Sequence, residues 1–222
     1  TAAVLAAKAD LGMAFDGDGD RVMLVSEDGT VIDGDRMIGI AAEHMLEAGS
    51  LSPPAVVTTV MSNLGLERWL AARGIKMLRT PVGDRYVSHT MHEQGIRLGG
   101  ETSGHVIFLE YSPTGDGILT AVKLLEIAHE KQARLGELAQ AITLYPQRHR
   151  GIPCQEPKAV AADERVQRAI GEAEAALGER GRIVVRASGT QPLLRLMVES
   201  EDDAICAEVL ESLSAAAQAA ID

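Results

Sequence analysis

Residues 11–25 read LGMAFDGDGDRVMLV, in which acidic residues and glycines alternate between two apolar runs. Each run has the length of a strand, and glycine lets the intervening backbone fold tightly because it has no Cβ to clash. We therefore predict a strand–loop–strand unit whose loop directs Asp16, Asp18 and Asp20 to one centre. Three carboxylates this close raise one another's pKa unless a cation neutralises them. Since their oxygens suit a hard ion, the stretch predicts a Mg²⁺ or Ca²⁺ site.

Two other interpretations of the acidic loop remain open on the residues alone. In a calcium-binding EF-hand, Asp16, Asp18 and Asp20 would fill the first three ligand positions and Glu27 the last. Arg21, however, replaces the glycine of that motif, and strands rather than helices are predicted on both sides. A solvated acidic turn explains the glycines but not the strict alternation of carboxylates. A hard-metal site is the preferred interpretation.

The composition limits the class of protein. The chain has 222 residues, of which 46% are hydrophobic, so it can form one large or two modest domains with a hydrophobic core. Its formal charge of −11 argues against non-specific binding to nucleic acid or to an anionic membrane. Two distant cysteines, Cys154 and Cys206, predict neither a metal cluster nor a disulfide framework and are typical of a reducing cytoplasm. No segment is expected to have the length and hydrophobicity of a transmembrane helix, and no signal peptide is expected.

Helical and extended patterns alternate over residues 34–136, which predicts a layered α/β domain with a mixed, largely parallel sheet. The predicted helices span 36–48, 62–72, 84–94 and 117–132, and the predicted strands span 55–60, 75–78, 96–98 and 106–109. Asp84 and Asp116 are predicted to cap the third and fourth helices. Residues 1–33 are predicted to be the C-terminal part of a similar, metal-binding α/β domain, so the sequence is expected to begin within that domain.

A linker around residues 144–151 is predicted to open a third domain, 145–222. Its predicted elements are a helix at 163–177, strands at 182–186 and 193–198, and a helix at 202–220. This order predicts a small α+β domain in which a turn at 187–192 joins the two strands.

That turn has the composition of a phosphate-binding loop. It reads RASGTQP over residues 186–192 and is followed by a second arginine. Guanidinium groups offer forked donors, hydroxyls add further donors, and glycine lets backbone amides approach an anion. The candidate donors are Arg186, Ser188, Gly189, Thr190 and Arg195. A plain surface hairpin could have the same composition, but so many donors within ten residues favour phosphate.

A second polar turn, GGETSGH, occupies residues 99–105 between two apolar runs. Glu101 and Ser103 can share one face of an extended loop and contact sugar hydroxyls, and His105 can act as a hydrogen-bond partner or a proton shuttle. Taken alone, the turn is better explained as a glycine-rich connection with a solvated Glu and a structural His.

A third polar loop, TPVGDRY, occupies residues 80–86 at the start of a predicted helix. Besides the capping role predicted for Asp84, Arg85 can reach either an anion or a neighbouring carboxylate. The residues alone do not choose between these two partners of Arg85.

Loops 16–21, 100–105 and 186–192 occur in the order and context of one family, the α-D-phosphohexomutases, which the chain resembles over essentially its whole length. Each motif is weak alone, but the three together are specific. Three further runs, 61–66, 82–87 and 192–199, are more similar to the bacterial branch that acts on glucosamine phosphate than to the branch that acts on mannose and glucose phosphates.

The resemblance implies a role for each loop. Asp16, Asp18 and Asp20 would bind Mg²⁺ together with a phosphoserine, and Arg21 would lie beside that phosphate. Glu101, Ser103 and His105 would contact the sugar, with Arg21 and His105 as catalytic residues. The residues implied to grip the non-reacting phosphate are Arg186, Ser188, Gly189, Thr190 and Arg195. The implied substrate is a phosphosugar, converted through a bisphosphosugar that also serves as activator.

Two departures from the family pattern affect these expectations. The Ser-His-Asn type motif that carries the family's phosphoserine does not occur in this sequence. We therefore expect an N-terminal half of the same protein as a partner, an inactive C-terminal half on its own, and a general base that is not assigned; a homodimer is a candidate assembly. Gln191 stands where the family usually has Glu. It retains an acceptor oxygen, so phosphate binding is expected to survive.

Within the family, action on mannose or glucose phosphate remains an alternative, because Thr102 between Glu101 and Ser103 does not decide the sugar. Proteins of two other classes also remain alternatives. One is a calcium-binding module, which would bind Ca²⁺ tightly but no phosphosugar. The other is a non-catalytic interaction domain that has kept the fold. Intact chemistry in all three loops favours the enzyme.

Overall fold

The computed structural model describes residues 1–189 and 191–221 and divides the chain into two compact units, 1–143 and 144–222. Unit 1 contains a small antiparallel sheet and a four-stranded mixed sheet, and unit 2 contains one antiparallel sheet. Helices accompany the sheets in both units. The predicted α/β class and the α+β C-terminal domain are confirmed.

The acidic stretch forms the predicted hairpin. A short helix α1 (Ala2–Ala7) precedes strands β1 (Leu11–Phe15), β2 (Val22–Ser26) and β3 (Val31–Ile32), which pair antiparallel in the order β1-β2-β3. Phe15 pairs with Val22, so residues 16–21 close the hairpin between two strands. The EF-hand interpretation requires helices on both sides of this loop and is therefore wrong.

The mixed sheet places three loops at one edge. Its strands are β4 (Ala55–Thr59), β5 (Lys76–Thr80), β6 (Leu98–Gly100) and β7 (Val106–Phe108), in the order β5-β4-β6-β7. β4 runs parallel to β5 and to β6, and β6 pairs antiparallel with β7. All of β4 is buried, as expected for a central strand. Because the carboxyl ends of parallel strands share an edge, the loops after β4, β5 and β6 lie together there.

Five helices accompany the mixed sheet: α2 (Gly34–Glu47), α3 (Leu64–Ala71), α4 (Asp84–Gln94), α5 (Gly117–Glu130) and α6 (Leu135–Gln140). Asp116 caps α5 as predicted, since its carboxylate accepts the Leu119 N–H at 2.9 Å. The capping role predicted for Asp84 is wrong. Gly83 is the N-cap of α4, and its φ of 132° lies in a region that favours glycine. Asp84 is instead the first residue of the helix.

Unit 2 is a three-stranded sheet with helices packed on it. Strands β8 (Gln147–Pro153), β9 (Gly181–Ala187) and β10 (Leu193–Ser200) pair antiparallel in the order β8-β10-β9. The helices are α7 (Pro157–Ala162), α8 (Glu164–Leu177) and α9 (Asp203–Ile221), with a 3₁₀ turn at Gly178–Arg180. The core formed by strands and helices includes Ile152, Val166, Leu194, Leu196, Val198, Leu210 and Leu213.

The linker predicted at 144–151 is wrong, because most of it is strand β8. Because of its basic side chains, this segment has no alternating apolar pattern from which a strand could be predicted. Arg148 forms a two-pronged ion pair with Asp203 at 2.6 and 2.7 Å, and Arg150 pairs with Glu211, both acids being on α9. These ion pairs offset the charge of the arginines, and the strand is held by its pairing with β10 and by Ile152 in the core, without an alternating apolar pattern.

The sequence analysis expected no segment with the length and hydrophobicity of a transmembrane helix. By length and composition, however, the 19 residues of α9 could cross a membrane. A core helix meets the same criterion. Cys206, Leu210, Leu213 and Ala217 of α9 lie in the core of unit 2.

Candidate active site

The acidic loop 16–21 is held in a tight turn by its own backbone. The Gly19 N–H donates to the Asp16 carbonyl at 3.3 Å, and the Asp16 N–H donates to the Arg21 carbonyl at 3.4 Å. Arg21 Nε lies 3.8 Å from Asp16 Oδ2, in a pair that is partly exposed on both sides. The turn therefore keeps its carboxylates and its arginine at the surface, next to each other.

His105 lies directly behind this loop. Its Nδ1 is 3.0 Å from Asp20 Oδ2, and its Nε2 accepts the Gly115 N–H at 3.1 Å. Because Nε2 accepts, the hydrogen-bond pattern assigns the proton to Nδ1, which donates to Asp20. The ring is 2% exposed, so both nitrogens are used inside the protein. The substrate contact expected of His105 therefore has no free ring nitrogen in this structure.

The contacts of Asp20 favour its charged form. Burial raises the pKa of the Asp20 carboxyl, but hydrogen bonding with Asp16 and with His105 outweighs burial, and the positive charge of Arg21 adds to the lowering. The pKa of Asp20 thus lies below its ordinary value. A carboxylate that stays charged is what binding of a hard cation requires.

Glycines allow the acidic loop to contact the turn 100–105 and the start of α5. The Val22 N–H donates to the Gly104 carbonyl at 3.2 Å, and the Gly117 N–H donates to the Gly19 carbonyl at 2.9 Å. A Cβ on Gly104 would lie 2.1 Å from the Val22 oxygen, and one on Gly117 would lie 2.7 Å from the Arg21 oxygen. These approaches bring the first two sequence motifs together.

The turn 100–105 also contacts the third polar loop. Glu101 Oε1 accepts the Gly83 N–H at 3.1 Å, which ties the start of α4 to this turn. The backbone N–H of Glu101 donates to the His105 carbonyl at 2.9 Å, and Ser103 is exposed at the tip of the turn. Glu101 and Ser103 are thus at the surface beside the acidic loop, where the sequence analysis expected a sugar.

The donor chemistry of the acidic loop fits a hard cation, since Asp16, Asp18 and Asp20 offer only carboxylate oxygens. Asp16 is close enough to Asp20 to help lower the pKa of the Asp20 carboxyl. Over residues 1–189 and 191–221, however, no three His, Cys, Asp or Glu side chains form a group that could hold a metal ion. The three predicted ligands share one loop, but their side chains do not converge.

The loop predicted to bind phosphate joins β9 to β10 in unit 2. Arg186 and Arg195 are direct partners across these strands, so two positive charges face each other. Arg195 Nη2 donates to Gln191 Oε1 at 2.9 Å. Arg186 Nε is buried, and in the described part of the chain it has no hydrogen-bond partner. Burial, together with the charge of Arg195, lowers the pKa of Arg186.

The remaining predicted donors surround this arginine pair. The Ser188 N–H donates to the Leu193 carbonyl at 2.8 Å, which closes the hairpin, and Gly189 is exposed with open space around its α-carbon. Thr190, also predicted to bind phosphate, lies outside the described residues.

The same face of the sheet provides an internal comparison. Arg182 and Glu199 are also direct cross-strand partners, four residues along each strand from the arginine pair. Arg182 Nε lies 2.5 Å from Glu199 Oε2, and Gln147 Nε2 donates to Glu199 Oε1 at 3.0 Å. The Arg182 pair is neutral, whereas the Arg186 pair has an excess of positive charge. Like charges directly opposite each other destabilise a sheet, so this end of the sheet favours a bound anion.

Sequence reasoning missed the glycines that position the acidic loop. Gly115 lies so close to the His105 ring that a Cβ would be within 2.4 Å of it, and Gly117 contacts the loop backbone. The signal was present as the run Gly115-Asp116-Gly117, which was interpreted only through its aspartate cap.

Fold and site define a protein with an acidic loop and a polar turn on an α/β unit, and a cationic hairpin on an α+β unit. Two family models match the chain: "Phosphoglucomutase/phosphomannomutase, alpha/beta/alpha domain III" over residues 33–145, and the C-terminal domain of the same family over residues 152–216. The chain belongs to the phosphoglucomutase/phosphomannomutase family.

Individual relatives agree with this assignment. A phosphoglucosamine mutase of Maricaulis maris is 50% identical over 202 residues, which are 91% of this chain and 45% of that protein. A phosphoglucomutase/phosphomannomutase family protein of Burkholderia thailandensis has a TM-score of 0.77 and 26% identity over 99% of this chain and 48% of its own. The chain therefore spans about half the length of the relatives it matches.

A more distant structure supports the fold alone. The Aspergillus fumigatus N-acetylphosphoglucosamine mutase, solved with GlcNAc-6P and magnesium, has a TM-score of 0.79 at 19% identity, over 95% of this chain and 49% of its own.

Proposed function

We propose that this chain is the C-terminal half of a phosphoglucosamine mutase, which interconverts glucosamine 6-phosphate and glucosamine 1-phosphate. The observation that carries the proposal is the facing pair Arg186 and Arg195. Among residues 1–189 and 191–221 this pair has no carboxylate like the one that neutralises Arg182 on the same sheet face. An unpaired, buried guanidinium nitrogen beside a second arginine favours a phosphate group. The name of the Maricaulis maris relative supports the amino sugar.

In this proposal the phosphate that does not react is gripped by unit 2. Arg186 and Arg195 provide the charge, and Ser188, Gly189 and Thr190 provide hydroxyl and backbone donors. A fixed grip on one end of the substrate places the other end in position, which lowers the entropic part of the barrier. The phosphate is at C6 of the sugar in one reactant and at C1 in the other. The same phosphate-binding loop therefore serves the reaction in both directions.

The reacting phosphate would lie at the acidic loop of unit 1. Asp16, Asp18 and Asp20 would hold Mg²⁺, which neutralises charge on the transferring phosphoryl group. The side chains would have to turn toward one centre, since they do not converge on their own. His105 keeps Asp20 oriented through Nδ1–H, and Arg21 lies beside the phosphate.

The sugar would contact the turn 100–105 of unit 1, through Glu101 and Ser103. The phosphoryl group would pass from a serine oxygen to a sugar hydroxyl, giving a bisphosphosugar, and the other phosphate would then return to the serine. That serine is proposed to lie in the half of the relatives that this chain does not span, so the N-terminal half is a proposed partner. We also propose a cytoplasmic location, because the proposed substrate is a small phosphorylated sugar.

The test is conversion of glucosamine 6-phosphate by the full-length protein that contains this chain, with Mg²⁺ and glucose 1,6-bisphosphate, followed by ³¹P NMR. We expect glucosamine 1-phosphate to form, and Asp18→Asn and Arg186→Gln each to slow its formation at least about tenfold. Glu93→Gln, an exposed change on α4, is the control and should leave the rate unchanged. Conversion that survives both site variants would contradict the proposal.

A further inference from the structure

The third polar loop, residues 80–86, is joined to the candidate sugar site but has no role in the mechanism so far. The contact is the hydrogen bond from the Gly83 N–H to Glu101 Oε1, at 3.1 Å. Asp84 is the next residue after Gly83. Its backbone is therefore adjacent to the residue that donates to Glu101, whose carboxylate is proposed to contact the sugar. Gly83 has a φ of 132°, a conformation that other residues rarely adopt, so this approach depends on glycine.

The carboxylate of Asp84 is free. In the described part of the chain it forms no hydrogen bond and no ion pair, and its side chain is exposed. It does not cap α4, because Gly83 holds that position. The adjacent Arg85 does not neutralise it either, since its guanidinium donates to the Tyr86 hydroxyl at 2.6 Å and stacks over that ring at 4.6 Å.

The other acids near this site already have partners or a proposed role. Asp20 accepts from His105, Asp16 pairs with Arg21, and Glu101 accepts from Gly83. Asp18 is a proposed metal ligand. Asp84 is therefore the carboxylate left over, beside a site whose proposed substrate has one positive charge of its own, the ammonium at C2 of glucosamine.

We propose that Asp84 determines specificity for the amino sugar by pairing with this ammonium group. The proposal rests on the proposed function, because only an amino-sugar substrate brings the cation. An ammonium–carboxylate contact is a charge-assisted hydrogen bond, and a sugar with a hydroxyl at C2 cannot replace its charge. Asp84 thus acts on the choice of substrate and not on phosphoryl transfer.

The experiment compares glucosamine 6-phosphate with glucose 6-phosphate in the full-length protein that contains this chain. Asp84→Asn keeps the shape of the side chain and removes its charge. We expect kcat/KM for glucosamine 6-phosphate to fall roughly tenfold to a hundredfold, mainly through KM, with glucose 6-phosphate unchanged. Where glucose 6-phosphate turns over too slowly, its inhibition constant against glucosamine 6-phosphate gives the same comparison.

Glu93→Gln removes a charge from the other end of α4 and should leave kcat/KM unchanged for both substrates. If Asp84→Asn lowers kcat/KM for both sugars alike, or for neither, the proposal is overturned. A purely structural Asp84 would give equal effects on the two sugars. The proposed function is tested separately, by turnover of glucosamine 6-phosphate in the wild-type protein. Absence of this turnover would overturn the proposed function, whatever the effect of Asp84→Asn.

Discussion

At the scale of single residues, Arg186 and Arg182 have the same charge on the same sheet face but different partners. Arg186 faces Arg195, and Arg182 faces the fully buried carboxylate of Glu199. We expect Arg186→Gln to weaken binding of inorganic phosphate at least about tenfold. Because a like-charge contact is relieved, the free energy of unfolding should stay constant or rise by up to about 1 kcal/mol. Phosphate titration calorimetry and urea denaturation measure the two quantities.

Arg182→Gln is the matched control and should have the opposite profile. It removes a guanidinium from the buried Glu199, which costs about 3–5 kcal/mol of stability, while phosphate binding is retained. If both variants lost the same stability and neither lost phosphate, the arginine pair would not be an anion site.

The exchange of Glu for Gln at residue 191 is expected to have little effect on phosphate binding. Gln191 Oε1 accepts from Arg195, and a glutamate oxygen can accept the same bond. We expect Gln191→Glu to leave phosphate affinity unchanged, whereas Ser188→Ala should lower it by loss of a hydroxyl donor. A large loss on Gln191→Glu in the same titration would mean that the phosphate site depends on its extra positive charge.

At the scale of elements, the contact between hairpin β1–β2 and turn 100–105 depends on Gly104. Its φ is 90°, and a Cβ would lie 2.1 Å from the Val22 oxygen. Gly49 also has a positive φ, 69°, but a Cβ there would have nothing within 4 Å. Gly49→Ala should thus cost only about 1–2 kcal/mol of conformational strain.

Gly104→Ala combines that strain with a backbone clash and should be more destabilising. It should also lower mutase activity of the full-length protein, because the acidic loop moves away from His105. Thermal unfolding and the activity assay separate the two effects. Equal stability and equal activity in the two variants would show that the close approach does not position the loop.

The elements that could be predicted from sequence were those with a clear local pattern. The β1–β2 hairpin, the buried strand β4 and the helix α5 with its Asp116 cap follow from apolar runs and capping chemistry. Strand β8 did not, because its exposed arginines are neutralised by Asp203 and Glu211, more than fifty residues away. Helices α6 and α7 are only six residues each, too short for a periodic pattern.

The sequence indicated which loops form the candidate site but not the contacts between them. Acidic, glycine-rich and arginine-rich runs indicated which loops carry chemistry. The Asp20–His105 bond and the Gly83–Glu101 bond join loops that are 85 and 18 residues apart, so they depend on the folded topology. The same topology changed the interpretation of His105 from a group facing substrate to one that holds a proposed metal ligand.

At the scale of the whole molecule, the chain carries the two proposed phosphate-handling loops but spans about half of its relatives. We expect this chain on its own to produce no glucosamine 1-phosphate, because the proposed phosphoserine is outside it. The full-length protein should produce it under the same conditions. Turnover by the chain alone would mean that a group within these 222 residues accepts the phosphoryl group.

The most direct test of the proposed function compares kcat/KM of the full-length wild-type protein for glucosamine, glucose and mannose 6-phosphates, with Mg²⁺ and a bisphosphosugar. We predict a clear preference for glucosamine 6-phosphate. A preference for glucose or mannose 6-phosphate would contradict the amino-sugar assignment and leave the fold and loops intact. No turnover of any of the three would contradict the mutase itself.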